Sequence, residues 1–358
     1  MTERTTERMT EARKQSSVVP SVPFVLFLCV LVTVTVTASA CSRHDDRAGQ
    51  RVRLAVGGQN QMVYLPTTLA QELGFYREEG LDVELQDLAG GAKALQALVG
   101  GSADVVSGFY DHTIQMAAEG RALVAFVTML RFPGLVLVTS PHSADTVRTI
   151  EDLKGHIAGV TTAGSSSQML LVYMLQRHGV PPDSVSITAI GSAATAIAAI
   201  EHGKVDAGMM ADPSFTLVAK RNPGARVLAD LRTADGVKAA FGTDTYPASV
   251  LYTTADWIRT NHDATAKLAR AITRTLAWMQ AHSPQEIADR TPKTFRGEDD
   301  ALYVEALRAS MPMFSPDGAM TADGAEQVRT LLAGSMDKVR GTTIDITKTY
   351  TNEFVHGR

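Results

Sequence analysis

The sequence predicts an α/β protein of two lobes joined by two crossovers, and three observations carry that prediction. Strand-like and helix-like segments alternate from Arg51 onward. The alternation restarts with different residues near residue 150. Two apolar β runs, 135–139 (LVLVT) and 249–253 (SVLYT), stand where the chain enters and leaves the second stretch. Alternation at this pitch implies mostly parallel sheets covered on both faces, because a parallel neighbour is reached only through a long crossover, usually a helix. The expected lobes are 51–137 with 246–358, and 138–245, the C-terminal helices belonging to the first.

Each element has its own warrant. Residues 51–56 form a short β run, broken by Gly57-Gly58-Gln59-Asn60-Gln61. Residues 65–73 carry apolar side chains at helical spacing and stop at Gly74, since glycine best tolerates the left-handed backbone that follows a helix. Residues 81–88 (LDVELQDL) alternate apolar and polar positions as a strand does. A helix follows Gly90-Gly91 as far as Gly100-Gly101, then a strand over 103–107, a helix over 114–119 and a strand over 122–129. The second stretch reads as strand 157–161, a Gly/Ser loop, helix 169–179, strand 185–190, helix 193–202, and strands 206–210 and 226–231. Beyond Ala255 the chain is helical. Leu268, Ile272, Leu276 and Met279 share one face of a helix over 266–281, which Ser283-Pro284 closes.

Composition narrows the function. The 358 residues are 45% apolar and 20% charged, enough apolar material for two cores and too much for a disordered chain. A net charge of −4 argues against nucleic acid as the main partner, which calls for a basic surface. Two cysteines, Cys29 and Cys41, give neither a disulfide framework nor a multi-cysteine zinc site.

The N-terminus reads as a targeting segment over 1–40. Arg4, Arg8, Arg13 and Lys14 precede an uncharged run over 24–36 (FVLFLCVLVTVTV), too short to span a hydrocarbon core of about 30 Å comfortably. Ala38-Ser39-Ala40-Cys41 then resembles the lipobox of bacterial lipoproteins, with Ala38 in place of the usual Leu. That resemblance implies cleavage before Cys41, a lipid on its sulfur, and a polar tether over 41–50. Ordinary cleavage after Ala40, also satisfied by the small-x-small pattern, releases the protein to the periplasm instead.

Four segments carry a wider resemblance: LPTTLAQELGFYREEGLDVEL (65–85), GGAKALQALVGGSADVV (90–106), TIEDLKGHIAGV (149–160) and AAIEHGKVDAGMMADP (198–213). In this order they resemble the solute-binding proteins of ABC importers, in the nitrate/sulfonate/taurine branch called SsuA/THI5-like or NMT1-like. The resemblance covers about residues 51–283. It implies a two-lobed periplasmic-binding-protein fold of type II with two hinge crossovers. It further implies a small polar or anionic ligand such as a sulfonate, taurine or nitrate, an ABC permease as partner, and no cofactor. A thiamine-precursor pyrimidine is the other ligand that the family offers, and a ligand-sensing lipoprotein without transport is the other role.

Ligands of open α/β sheets bind beyond the carboxyl ends of the strands, which selects particular loops. Gln59, Asn60 and Tyr64 follow the first strand. Gly90-Gly91-Ala92 either presents backbone N–H groups or makes a simple turn. In GFYDH (108–112), Phe109, Tyr110 and His112 are ligand candidates, whereas Asp111 reads as a helix N-cap. Arg131 precedes the crossover and either pairs with an anion or is solvated. In TTAGSSSQ (161–168), Gly164 permits the turn, and Ser165, Ser166 and Ser167 place hydroxyls and free N–H groups at the positive end of a helix. Asp212 is a candidate acceptor for a ligand amine or amide. No G-x-S-x-G, H-E-x-x-H, P-loop or EF-hand pattern occurs, and neither does the cysteine-rich motif of the family's pyrimidine-synthesising enzymes. Binding without catalysis is therefore expected.

Overall fold

The computed structural model describes residues 49–355, so the predicted signal, the predicted lipid attachment at Cys41 and most of the predicted tether lie outside the described residues. The chain opens with β1 (Gln50–Val56), α1 (Leu65–Glu72), α2 (Phe75–Glu78), β2 (Leu81–Asp87), α3 (Gly91–Val99), β3 (Val105–Phe109), α4 (Asp111–Ala118) and β4 (Leu123–Thr128). It continues through β5 (Leu135–Thr139), β6 (Ile157–Val160), α5 (Ser166–Arg177), β7 (Ser186–Ala189), α6 (Ala194–Glu201), β8 (Ala207–Ala211), α7 (Ser214–Arg221), β9 (Val227–Asp230) and α8 (Ala234–Phe241). It returns as β10 (Ser249–Thr254) and ends in α9 (Ala255–Thr260), α10 (His262–Ala281), α11 (Pro284–Arg290), α12 (Lys293–Arg296), α13 (Asp300–Ser310), α14 (Ala322–Ser335) and α15 (Asp337–Arg340).

These strands make two five-stranded sheets, ordered β2-β1-β3-β10-β4 and β7-β6-β8-β5-β9. In each sheet only the crossover strand is antiparallel to its neighbours: β10 against β3 and β4, and β5 against β8 and β9. A strand arriving from the other lobe has no crossover helix of its own within the sheet, so nothing obliges it to run with the rest. The rest of each sheet is parallel, as the alternation of elements requires. The all-buried run of β5 serves two faces: Leu135 and Leu137 join the main core, while Val136 and Val138 pack with Ile200 and Phe215 in a second cluster.

The main core extends from Leu54 and Leu251 in the first sheet to Leu170, Leu171 and Met174 on α5. The C-terminal helices carry it across: α14 packs on both α4 and α5, and α13 packs on α7. Helices expected to belong to the first lobe thus touch the second as well. The outer edge of β4 is covered by the C-terminal segment, where Ala125 N–H donates to Thr349 O at 2.9 Å and Thr351 N–H to Ala125 O at 2.8 Å. That leaves less unpaired strand edge for a foreign strand to join.

Local chemistry sets the boundaries. Ser283 accepts from the Glu286 N–H, Glu286 accepts from the Ser283 N–H, and Pro284 fills the first helical position of α11, where a missing N–H costs nothing. The sequence reading did not predict α7 and α8, each of eight residues, because two turns are too few to establish a 3.6-residue period. Thr233, which accepts from Gly236 N–H, marks the start of α8. The helices predicted from 114 and 169 begin at Asp111 and Ser166, since their first turns are polar and carry no apolar stripe.

Candidate functional site

Strand order locates the cleft. In the first sheet β1 lies between β2 and β3, and in the second β6 lies between β7 and β8, so the connections leave in opposite directions from each pair and open a crevice at the carboxyl ends. The loops after β1, β3, β6 and β8 meet there. Ser166 Oγ donates to Asp111 Oδ1 at 2.7 Å, and Met62 N–H donates to Asp212 O at 2.9 Å, each bond joining an element of one sheet to an element of the other. Between them remains a cavity of about 20 Å³, room for about one water molecule, so the two lobes are closed on each other.

The second-sheet wall is Leu135, Thr161 and the three serines. Ser165 is the N-cap residue of α5 with extended backbone. Its hydroxyl bonds Thr161 Oγ1 at 3.0 Å and Ser167 Oγ at 2.8 Å, and Ser167 Oγ accepts Thr161 N–H at 3.0 Å. The hydroxyls of Ser165 and Ser167 are therefore engaged with the loop itself, while Ser166 reaches across to Asp111. Among the described residues no acceptor meets the N–H groups of Ser166 and Ser167, the first two residues of α5. They point the positive end of the helix at the cavity.

The first-sheet wall holds Gln61, Tyr64 and Phe109, with Tyr64 and Phe109 edge to face at 6.2 Å between ring centroids. Gly57 lies so close beneath Tyr64 that a Cβ there would stand 2.6 Å from the phenol oxygen, which explains the glycine. Gln61 donates to Gly57 O at 3.1 Å and also lines a neighbouring cavity of about 10 Å³ against the second sheet. Burial, with the nearby Asp111 charge, pushes the Tyr64 phenol up, so it stays protonated and polar.

Asp111 is not the N-cap expected of it. It is the first residue of α4, caps nothing, and turns its fully buried carboxyl to Ser166 and, at 3.5 Å, to the Tyr246 hydroxyl. Burial pushes that carboxyl above its ordinary range and pushes the adjacent His112 imidazole below its own. His112 Nδ1 lies 3.1 Å from the Tyr252 hydroxyl, and its Nε2 is buried without a partner.

Other candidates stand apart from the cavity. Asp212 is no free acceptor: it already takes Thr216 N–H at 3.1 Å, Thr216 Oγ1 at 2.6 Å, Arg232 Nη1 at 2.9 Å and Ser310 Oγ at 2.9 Å. Those bonds tie the second sheet to α13. Tyr110, the N-cap residue of α4 with helical backbone, points into the first lobe, its hydroxyl 2.5 Å from Thr349 Oγ1. Arg131 donates to Pro312 O at 2.9 Å on the surface. Gln59 is half-exposed in its loop, and Asn60 lines a separate crevice of about 350 Å³ between α7 and residues 294–302. Gln61, Val63, Leu135 and Thr161 line the cavity without having been singled out in the sequence, since Gln61 and Thr161 sit in loops with no periodicity to orient them and Val63 and Leu135 read as ordinary core.

A protein-family model described as NMT1/THI5 like matches residues 61–287. A solved structure of a protein from Bordetella bronchiseptica RB50 is 36% identical, covers 86% of this chain and 96% of its own, and superposes with a TM-score of 0.82. The alkanesulfonate-binding protein SsuA from Xanthomonas axonopodis pv. citri, solved with MOPS bound, is 17% identical with 84% and 98% coverage and a TM-score of 0.68, a likeness of fold. YtlA of Bacillus subtilis (strain 168), named a binding protein, is 23% identical over 86% of this chain and 89% of its own.

Proposed function

The chain belongs to the NMT1/THI5-like family, and from that premise we propose that it is the extracytoplasmic solute-binding component of an ABC importer. It closes two lobes round a small polar ligand and presents the closed form to a membrane permease. The observation that carries this reading is the cavity itself, walled by strand-end loops of both sheets and bridged by the Ser166–Asp111 bond. The fold likeness to an alkanesulfonate-binding protein supports it.

A ligand that contacts both walls favours the closed arrangement over the open one by the difference of its contacts in the two states. The crossovers that lead into β5 and β10, over 129–134 and 242–248, absorb the rotation, so that the first boundary precedes β5 rather than falling at 137–138 inside it. The free N–H groups of Ser166 and Ser167 suit an acceptor oxygen of the ligand, as in a sulfonate, taurine or nitrate. Tyr64 and Phe109 suit a flat ring, as in a pyrimidine. Binding requires no bond to be made or broken, and the groups lining the cavity serve recognition rather than turnover. A lipid on Cys41, or ordinary cleavage after Ala40, places the domain outside the cytoplasmic membrane.

A thermal-shift screen against sulfonates, nitrate, amino acids and pyrimidines tests the reading. A ligand at a hundred times its Kd stabilises the protein by about 2.7 kcal/mol. Unfolding at an unchanged temperature throughout such a panel, together with conversion of any of these compounds on incubation, argues for another function.

A further inference from the structure

On the reading of the cleft as a ligand site, we propose that the bound molecule extends beyond the serine-loop cavity into the crevice between α7 and residues 294–302. Its acceptor end meets the start of α5, and an apolar body, an aromatic ring or a short hydrocarbon chain, lies against Ile197, Leu217, Phe295 and Leu302.

The cavity beside the serine loop measures about 20 Å³, room for about one water molecule, so a ligand of more than a few atoms reaches into space beyond it. Such space continues along the seam between the lobes. A second cavity of about 10 Å³ adjoins the first, since Gln61 from the first lobe and Thr161 from the second line both. Ala193 and Ser214 line both this second cavity and the crevice, while the facing wall passes from Gln61 to its neighbour Asn60. The partitions stand between the lobes, so a slight parting of the lobes joins all three spaces. The crevice alone measures about 350 Å³, within the range of about 300–1,000 Å³ that drug-sized ligands occupy.

Its walls favour an apolar occupant. Ile197 on α6, Leu217 on α7 and Phe295 on α12 are only half-buried, and Leu302 on α13 lies with them on the crevice wall. Taking that surface and a ligand's hydrocarbon out of water together tightens binding by about threefold per methylene. The charged wall residues already have partners: Arg221 with Glu201 at 3.7 Å, Arg296 with Asp300 at 3.2 Å, and Asp299 with Lys220 at 3.2 Å. A second ionic group on the ligand competes with these pairs, whereas an apolar body leaves them whole. The walls are also held in place, because α13 packs on α7 and Ser310 at its end donates to Asp212 at 2.9 Å. A preformed crevice spares the ligand the cost of ordering it.

Two series of acids, each with one head group and a growing body, test this: methanesulfonate, butanesulfonate and phenylbutanesulfonate, and acetate, pentanoate and phenylpentanoate. Each compound is titrated calorimetrically into the wild type, Leu217→Gln and Leu217→Met. In whichever series binds, the wild type takes the longest member at least about tenfold more tightly than the shortest. A gain complete at the butyl member assigns the crevice to a chain, and a further gain at the phenyl member assigns it to a ring. Leu217→Gln, whose amide prefers water, cuts the ratio at least about threefold, and Leu217→Met, apolar and of similar volume, preserves it. Ile197→Thr takes the place of Leu217→Gln if that variant does not fold. A smaller ratio in the wild type overturns the proposal and leaves the solute-binding reading intact, and a ratio that the polar variant does not cut overturns it likewise. If no member of either series binds, the proposal falls, and the solute-binding reading falls with it only when the thermal-shift panel is blank as well.

Discussion

Ser166, the first residue of α5, donates its hydroxyl to Asp111, the first residue of α4, at 2.7 Å across the cleft. Each residue opens a helix that follows a strand of a different sheet, so this bond exists only while the sheets face each other closely. It is buried and charge-assisted, which puts its worth at about 1.5–3 kcal/mol. Ser166→Ala is expected to lower the unfolding free energy by about that amount and to raise the radius of gyration in solution scattering without ligand. A variant as compact and as stable as the wild type shows that the bond does not hold the lobes together.

His112 makes stability depend on pH in a defined direction. Its folded pKa lies below the ordinary value of about 6.5 because burial disfavours the imidazolium. Below that pH the unfolded chain binds a proton that the folded chain refuses, so this residue's contribution is lost as the pH falls through about 6.5 and under it. Urea midpoints measured from pH 7.5 to 5 are expected to fall less steeply for His112→Gln than for the wild type. Parallel curves contradict the assignment.

Arg232 pairs with Asp212 at 2.9 Å in the interior, its side chain only 12% exposed and that of Asp212 only 1%. Arg232→Ala strands a buried carboxylate, and removing one partner of such a pair costs about 3–5 kcal/mol. Chemical denaturation is expected to show a loss of that size. A loss under 1 kcal/mol implies that Thr216 and Ser310 satisfy Asp212 without the arginine.

Cys41→Ser separates the two fates of the N-terminus. With lipid attachment, the wild type partitions with membranes and the variant appears in the soluble fraction. Equal partitioning of the two favours ordinary cleavage after Ala40.

The parts legible in the sequence were those with local signals. Ser165, Ser166 and Ser167 stood out because Gly164 and a serine triplet precede an apolar helical run, and Tyr64 and Phe109 because they end or follow strands at the expected face. Tyr110 was not legible, since the strand ends at Phe109 and the helical backbone of Tyr110 turns it toward Thr349. Asp212 was not: its partners Arg232 and Ser310 lie 20 and 98 residues further on, and only the folded chain brings them together. Asp111 misled for a related reason. An Asp at a strand-to-helix junction usually caps its own helix, and what draws it away here is a hydroxyl 55 residues along. In the loop over 57–61 the choice between Gln59, Asn60 and Gln61 rests on backbone direction, which Gly58 sets with a φ of +135° and no side-chain pattern announces.

The account as a whole rests on a ligand held against the serine loop. The most direct measurement is the Kd of the tightest-binding screened compound for the wild type and for Ser167→Phe, whose ring fills the cavity from the second-sheet side. The account predicts a loss of at least about a hundredfold, the equivalent of roughly 2.7 kcal/mol. An unchanged Kd places the ligand elsewhere and contradicts it.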